Sequence, residues 1–184
     1  QEQIDISIVK VLVGLRQEWF TEILNKGTDK ETQTETKAFI PRVGLVVEAS
    51  ENINLYSTWV KGFQPQGANI QSDPERYGGP FDYVKSELHE IGLKTEWFNK
   101  RLNATVSVFK IKQENSLEQS AKAGKPDWRV PVDEESNGFE VDVAGRIAPN
   151  WSVVANYAYT DARIVKLKEE GALKDLNMQR PSTP

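Results

Sequence analysis

The sequence predicts an all-β protein, an antiparallel up-and-down meander of about seven or eight strands that is part of a transmembrane β-barrel. Three observations predict this fold. Apolar and polar residues alternate with a period of two along much of the chain, which places them on opposite faces of a strand. Tight turns and long polar connections follow one another in alternation. The strands are roughly 9–13 residues long, and ~9–11 residues cross a bilayer at a tilt.

The alternation is complete in residues 90–97. The odd-numbered positions carry Ile91, Leu93, Thr95 and Trp97, and the even-numbered positions carry Glu90, Gly92, Lys94 and Glu96. The same pattern predicts strands near residues 10–22, 41–50, 55–63, 87–98, 102–112, 137–148 and 151–163, with residues 1–4 as the stub of an earlier strand. The best helix candidate is 164–176, which Gly171 interrupts.

The connections differ in length according to the end of the sheet on which they fall. Tight turns are predicted at 51–54, 99–101 and 149–150, and long polar loops at 23–40, 64–86 and 113–136. Consecutive connections of a meander lie at opposite ends, so one end carries tight turns and the other carries long loops. Outer-membrane barrels have this asymmetry, whereas soluble barrels and sandwiches usually have short loops at both ends.

Composition excludes several other classes of protein. The chain of 184 residues has 23 Lys and Arg, 27 Asp and Glu, one His and no Cys. Disulfides, thiolate metal sites and His clusters are therefore ruled out, and the net charge of -4 gives no reason to expect a nucleic-acid partner. The longest uncharged run, 147–160, is too short for a membrane helix of roughly 18 residues. The first residues predict no signal peptide and suggest a processed or truncated piece.

Several stretches carry a resemblance to one family. They include LYSTWVKGFQP at 55–65 and EIGLKTEWF at 90–98, and the others lie at 3–6, 11–16, 41–46, 101–105, 138–142 and 151–162. In this order they resemble the C-terminal half of the barrel of TonB-dependent ferric-siderophore receptors. The resemblance implies membership of a barrel of about 22 strands. We therefore expect residues 1–184 to be a fragment that lacks the plug domain, the TonB-contact box and the C-terminal strands of that family.

Aromatic and basic residues of the long loops are candidates for ligand binding. They are Arg76, Tyr77, Phe81, Tyr83, Trp128 and Arg129. The resemblance implies that a siderophore contacts extracellular loops through such residues, and a guanidinium suits the negative charge that many ferric siderophores carry. The alternative for each aromatic ring is packing between the loops.

A second group of aromatic residues is predicted near the strand ends, as a girdle at the membrane interface. Its members are Trp19, Trp59, Trp97, Trp151 and Tyr157, together with Tyr56. Charged residues alternate along the polar face of the predicted strands, and this regularity predicts a solvated lumen wall rather than a catalytic carboxylate pair. They are Glu48, Glu90, Lys94, Glu96, Glu140, Asp142 and Arg146.

No catalytic residue and no cofactor is predicted. A metal site is not predicted either, because His89 beside Glu87 and Glu90 does not have the spacing of metal ligands. The resemblance implies a non-enzymatic receptor fragment of the bacterial outer membrane. Its whole protein would bind and import a ferric siderophore or related iron chelate, contact outer-membrane lipid, and couple to TonB through its missing N-terminal part.

Two other functions remain open from the residues alone. The chain could be a complete eight-stranded outer-membrane barrel with an adhesive or structural role, or a soluble β-sheet binding module. A fragment of a larger barrel would expose two sheet edges and a bare apolar face, so we expect it to self-associate.

Overall fold

The computed structural model describes residues 2–120, 124–169 and 172–180, without the side chains of residues 169 and 172–174. Within these residues one antiparallel sheet has its strands in sequence order. The strands are β1 (Glu2–Ile6), β2 (Val9–Leu24), β3 (Thr32–Ser50), β4 (Ile53–Gln64), β5 (Val84–Trp97), β6 (Leu102–Gln119), β7 (Arg129–Ala148), β8 (Trp151–Glu169) and β9 (Ala172–Gln179). Two short helices, α1 (Ala68–Gln71) and α2 (Pro74–Tyr77), lie between β4 and β5. The predicted all-β meander is confirmed.

Neither helix in the described part of the chain is long or apolar enough to cross a membrane. The strand meander has one or two strands more than the seven or eight expected, because the stub at the start is a strand and the end of the chain adds β9. The best helix candidate of the sequence, 164–176, is not helical in its described residues. Its described residues lie in β8 and β9, with Lys166 opposite Asp175. Val165 and Leu167 alternate with lysines there, which is the period of a strand.

The connections alternate in length as predicted, although the long ones are shorter than expected. Tight turns at 7–8, 51–52, 98–101 and 149–150 define the turn end of the sheet. Segments 25–31 and 65–83 define the loop end, together with residues 120 and 124–128 of the connection between β6 and β7. The predicted loops 23–40 and 113–136 were too long, because β3, β6 and β7 continue far into them and β2 enters the first by two residues. These extensions pair along their backbones. They were not predicted because they are polar, and the prediction relied on the alternation of apolar residues.

The register gives the sheet two distinct faces, since residues that pair across antiparallel strands lie on the same face. The apolar face contains the row Leu55, Leu93, Val106, Val141 and Tyr157 and the neighbouring row Ser57, Ile91, Val108, Phe139 and Tyr159. The polar face contains Glu90, Lys94, Glu140 and Asp142 in the same strands. On the polar face Lys10 Nζ also lies 2.5 Å from Glu48 Oε1.

Few side chains are buried, because neighbouring strands make one layer whose apolar face has no second layer over it. Among the described residues the buried apolar side chains include Ala38, Val130, Val132 and Ile164, and the buried polar ones are Ser107 and Asn115. Most of them lie in the loop-end halves of β6, β7 and β8. The apolar face is exposed by contrast: Ile91 is 60% and Val108 is 56% accessible. An apolar surface of this extent marks a site of contact with lipid or protein.

Candidate ligand-recognition site at the loop end

Segment 65–83 places two of the candidate residues on α2. Asp73 precedes this helix, and its Oδ1 accepts a hydrogen bond of 3.2 Å from the backbone N–H of Arg76. Pro74 occupies the first turn, and Gly78 ends the helix with a φ of 96°. These local signals fix Arg76 and Tyr77 in the last turn. The Arg76 guanidinium lies 5.1 Å from the centre of the Tyr77 ring.

Two polar contacts join α2 to residues 124–128, which precede β7. Arg76 donates from Nε to Asp127 Oδ2 at 2.8 Å, and its Nη2 lies 2.7 Å from the same oxygen. Lys125 Nζ donates to the carbonyl oxygen of Glu75 at 2.8 Å. The hydrogen bond to Asp127 raises the pKa of the Arg76 guanidinium. These contacts use two of the five N–H donors of a guanidinium, and the side chain stays largely exposed.

Trp128 adds an apolar contact to the same junction. A Cβ at Gly78 would lie 2.7 Å from Cε2 of the indole, so the ring packs against a position that has no side chain. Lys125 Nζ lies 4.7 Å from the centre of that ring, within cation–π range. Arg76, Tyr77 and Trp128 are therefore brought together, in what we call the loop-end cluster.

The other aromatic candidates contact different partners. Gln71 Nε2 donates to the Phe81 carbonyl oxygen at 2.7 Å, and the Phe81 N–H donates to Gln71 Oε1 at 2.8 Å. Tyr83 packs edge-to-face on Phe63, with ring centres 4.5 Å apart. Arg129 begins β7 opposite Gln119, and among the described residues its buried Nε has no hydrogen-bond partner. The part that all six residues play in ligand binding stays a prediction.

The residue that anchors this loop to the sheet has no recognisable signal in the sequence. Asn115 sits at a bulge in β6 with a φ of 63°. Its Nδ2 donates to the Tyr83 carbonyl oxygen at 3.1 Å, and its own carbonyl oxygen accepts from Gln66 Nε2 at 2.7 Å. Lys168 Nζ donates to its Oδ1 at 2.7 Å, and its backbone N–H donates to Asp133 Oδ1 at 3.2 Å. An asparagine within a polar run has no distinguishing pattern, so only the fold could reveal this role.

An open cavity of about 870 Å³ separates segment 25–31 from α1 and α2. Carboxylates dominate its charged lining, which contains Glu22, Asp29, Glu31, Asp73, Glu75 and Lys30. Asn25 Nδ2 donates a hydrogen bond of 3.1 Å to the Ser72 carbonyl oxygen and so links segment 25–31 to the region of the two helices. Among the described residues no group of three His, Asp or Glu side chains could hold a metal ion. His89 Nε2 instead lies 2.9 Å from Glu87 Oε1.

The predicted girdle residues occupy two kinds of position. Trp97 ends β5 and Trp151 begins β8, both at the turn end as expected. Trp19, Trp59 and Tyr157 lie inside strands, so their placement near strand ends was wrong, because the strands continue past them. Tyr56 lies on the polar face against Gly92 and is no part of a girdle. The interfacial role of the other five stays a prediction.

Comparison with known proteins connects this sheet to one family. The family model described as "TonB dependent receptor-like, beta-barrel" matches residues 1–182. The metal-pseudopaline receptor CntO of Pseudomonas aeruginosa is 28% identical over 175 residues, which are 90% of this chain and 24% of that protein. The ferric-pyoverdine receptor PbuA of Pseudomonas sp. strain M114 is 25% identical over 165 residues, 85% of this chain and 20% of that protein.

Solved structures share the fold. The alcaligin outer-membrane receptor FauA of Bordetella pertussis superposes with a TM-score of 0.67 at 22% identity, over 88% of this chain and 29% of its own. The P. aeruginosa receptor FpvA bound to a heterologous ferric pyoverdine gives a TM-score of 0.68 at 22% identity, over 88% of this chain and 22% of its own.

The chain spans about a fifth to a quarter of the length of the first curated relatives that it matches. These relatives are receptors rather than enzymes, which supports a non-enzymatic role. The family also agrees with the expected location in the bacterial outer membrane. With a family model that covers almost all of its residues, the chain belongs to the β-barrel domain family of TonB-dependent receptors.

Proposed function

We propose that this chain supplies part of the barrel of an outer-membrane receptor that binds and imports a ferric siderophore or a related metal chelate. The loop-end cluster of Arg76, Tyr77 and Trp128 carries the proposal, since it joins two loops at the end of the sheet opposite the tight turns. Its guanidinium suits anionic oxygen groups, and its rings suit the flat faces of aromatic or chelated ligands. The names of the relatives, receptors for ferric pyoverdine and metal pseudopaline, support this ligand class.

The remaining steps of import would use parts of the receptor outside these strands. The relatives are four to five times longer than the segment that matches them. We propose that coupling to TonB occurs in those other parts, and that the apolar face described above contacts outer-membrane lipid. In this arrangement the chain contributes a section of wall and recognition loops, and no cofactor of its own.

The test removes the loop and keeps the strands. Residues 66–82 of the intact receptor are replaced by a short Gly-Ser linker between β4 and β5. Uptake by whole cells is measured with ferric pyoverdine, a ferric catecholate, metal pseudopaline and free copper(II) as probes. We expect the deletion to abolish uptake of the chelate that the unaltered receptor accepts, while heat-modifiable gel mobility shows that the barrel remains folded.

A point variant refines this experiment. Arg76→Ala should weaken chelate binding about tenfold, the lower end of the range for a hydrogen bond to a charged group. Lys100→Ala, at the turn end, removes the same charge far from the loops and is expected to leave binding unchanged. Unchanged affinity after deletion of 66–82 would rule out the recognition role of this loop. Uptake of free copper(II) but of no chelate would mean that the receptor transports a metal ion and not a chelate.

A further inference from the structure

A bulge separates the loop-end tips of β6 and β7 from the regular part of the sheet. The pairing of β6 with β7 stops at Gln113 and resumes at Ser116, and the pairing of β7 with β8 shifts at the same level. We call the paired tips beyond the bulge, 116–119 and 129–132, the stem. A bulge leaves residues unpaired, bends the strand and increases its local twist. The angle between the stem and the sheet is therefore not fixed by a continuous backbone ladder.

Arg180 reaches the bulge from the end of β9. Its backbone N–H donates to the Ala162 carbonyl oxygen at 2.8 Å, which places it on the polar face that Ala162 shares with Glu140. Its Nη2 contacts the carboxylates of Glu118 in β6 and Glu134 in β7. Two strands, β7 and β8, lie between β9 and β6 in the sheet. Since neighbouring strands are ~4.8 Å apart, a contact across them requires a concave polar face.

The two carboxylates lie on either side of the bulge. Glu134 pairs with Gln113, the last residue of β6 before the bulge, whereas Glu118 belongs to the stem. The row between them contains Val132, which is 1% exposed. A guanidinium that contacts both carboxylates lies over this row, so the Arg180 side chain contributes to the burial of Val132. Arg180 thus connects the stem to the sheet across the bulge.

The opposite face of the bulge has its own contacts. Asp133 precedes Glu134 in β7 and so faces the other way. Its Oδ1 accepts a hydrogen bond of 3.2 Å from the Asn115 backbone N–H and lies 3.2 Å from Lys168 Nζ. These contacts involve the residues of the bulge itself, and the contact of Arg180 adds a connection to the stem beyond it.

The stem in turn holds residues of the loop-end cluster. Gln119 Nε2 donates to the Pro126 carbonyl oxygen at 2.6 Å, and the Ser120 N–H donates to the Trp128 carbonyl oxygen at 2.9 Å. Trp128 and Asp127 are the residues that meet α2 and its C-terminal glycine. A change in the angle of the stem would therefore move both of them relative to α2.

We propose that Arg180 is a positioning residue for chelate recognition. By binding Glu118 and Glu134 across the bulge, it holds the stem at the angle at which Trp128 and Asp127 meet α2. A guanidinium suits this role because its planar fork of donors can contact two carboxylates at once. The inference rests on the proposed function of the loop-end cluster, and in it Arg180 does not contact the chelate.

The experiment measures the rates of chelate binding to the intact receptor in detergent by surface plasmon resonance. The probe is the chelate, among those named above, that the unaltered receptor takes up. Arg180→Gln should lower the association rate constant about tenfold, as expected when about one receptor in ten has the stem in place, and should leave the dissociation rate constant unchanged. Arg163→Gln is the matched control, because it removes an arginine of the neighbouring strand from the opposite face, where Arg163 pairs with Asp161. It should bind as the unaltered receptor does.

Neutral carboxylate variants separate positioning from direct contact with the chelate. E118Q/E134Q should slow association as R180Q does, because both remove the charged contacts across the bulge. If Arg180 bound the chelate itself, loss of the two competing carboxylates would strengthen binding instead. R180K should restore part of the association rate, since lysine keeps the charge but lacks the fork of donors.

Hydrogen-exchange mass spectrometry without chelate gives a readout that does not depend on binding. Residues 124–128 should exchange faster in R180Q, and the turn at 98–101 should not change. Heat-modifiable gel mobility checks that the barrel is folded, and E118Q/E134Q carries the test if R180Q does not fold. Unchanged association in R180Q, unchanged exchange in 124–128, or tighter binding by E118Q/E134Q would each overturn the proposal. If the unaltered receptor bound none of the chelates, the proposed function would fail, while faster exchange in 124–128 would still support the role of Arg180 in holding the stem.

Discussion

At the scale of single residues, Gly92 shows how a missing side chain shapes the polar face. Tyr56 pairs with Gly92 across β4 and β5, and its ring occupies the space where a Cβ would stand. Lys94 Nζ lies 5.1 Å from the centre of the same ring. A glycine in a strand interior ordinarily weakens the strand, and here it provides room for a large neighbour. Period-two patterning predicted the face of both residues but not their contact.

This contact predicts a specific loss of stability. Gly92→Ala places a Cβ within the Tyr56 ring, and displacing that ring should lower the free energy of unfolding by ~1–3 kcal/mol. Gly44→Ala is the matched control on the same face, since its Cβ would lie 3.5 Å from Leu12 Cβ in ordinary contact. Urea unfolding of the receptor in lipid vesicles measures both. Equal destabilisation by the two variants would show that the ring contact is not the cause.

At the scale of elements, the sequence predicted strands well only where the two faces of a strand differ. Residues 90–97 alternate completely and lie in β5 as predicted. In β3, by contrast, TQTETK at 32–37 is polar on both faces and was assigned to a loop. A strand that extends beyond the membrane has water on both sides, so its two faces no longer differ in polarity, although its backbone pairing continues. The position of the loops was therefore predictable, and their length was not.

The bulge at Asn115 yields a prediction for the loop that it anchors. Replacing Asn115 by Gly removes its side-chain hydrogen bonds to Tyr83 and Lys168 and tolerates the φ of 63°. Replacing it by Ala removes the same bonds and adds a strained backbone, at a further cost of ~1–2 kcal/mol. We expect faster hydrogen exchange in 65–83 in both variants, and lower global stability in Asn115→Ala than in Asn115→Gly.

Hydrogen-exchange mass spectrometry of the intact receptor resolves these two effects. The turn at 98–101, at the far end of the sheet, is the internal reference and should exchange at the same rate in both variants. Unaltered exchange in 65–83 would show that other contacts hold the loop, such as the pair of hydrogen bonds between Gln71 and Phe81.

At the scale of the whole molecule, three of the predicted loop residues come together through contacts that the sequence did not indicate. Loop position and residue type led to Arg76, Tyr77 and Trp128, which the fold brings together. Asp127 and Lys125, which join the two loops, carry no sequence signal of their own. Contacts between residues about 50 positions apart depend on how the strands place their loops relative to one another. The residue pattern within one segment does not indicate that placement.

The orientation of the sheet in the membrane predicts how an arginine on each face changes the free energy of unfolding. Val106 lies on the apolar face and is 43% accessible, whereas its neighbour Thr105 pairs with Lys94 and Asp142 on the polar face. An arginine that faces lipid near the bilayer centre costs ~2–4 kcal/mol, whereas an arginine that faces the lumen is solvated. Val106→Arg should therefore lower the free energy of unfolding in lipid vesicles by that amount, and Thr105→Arg should change it by less than about 1 kcal/mol. Equal effects of the two substitutions would mean that the apolar face does not contact lipid, as a soluble β-sheet module would require.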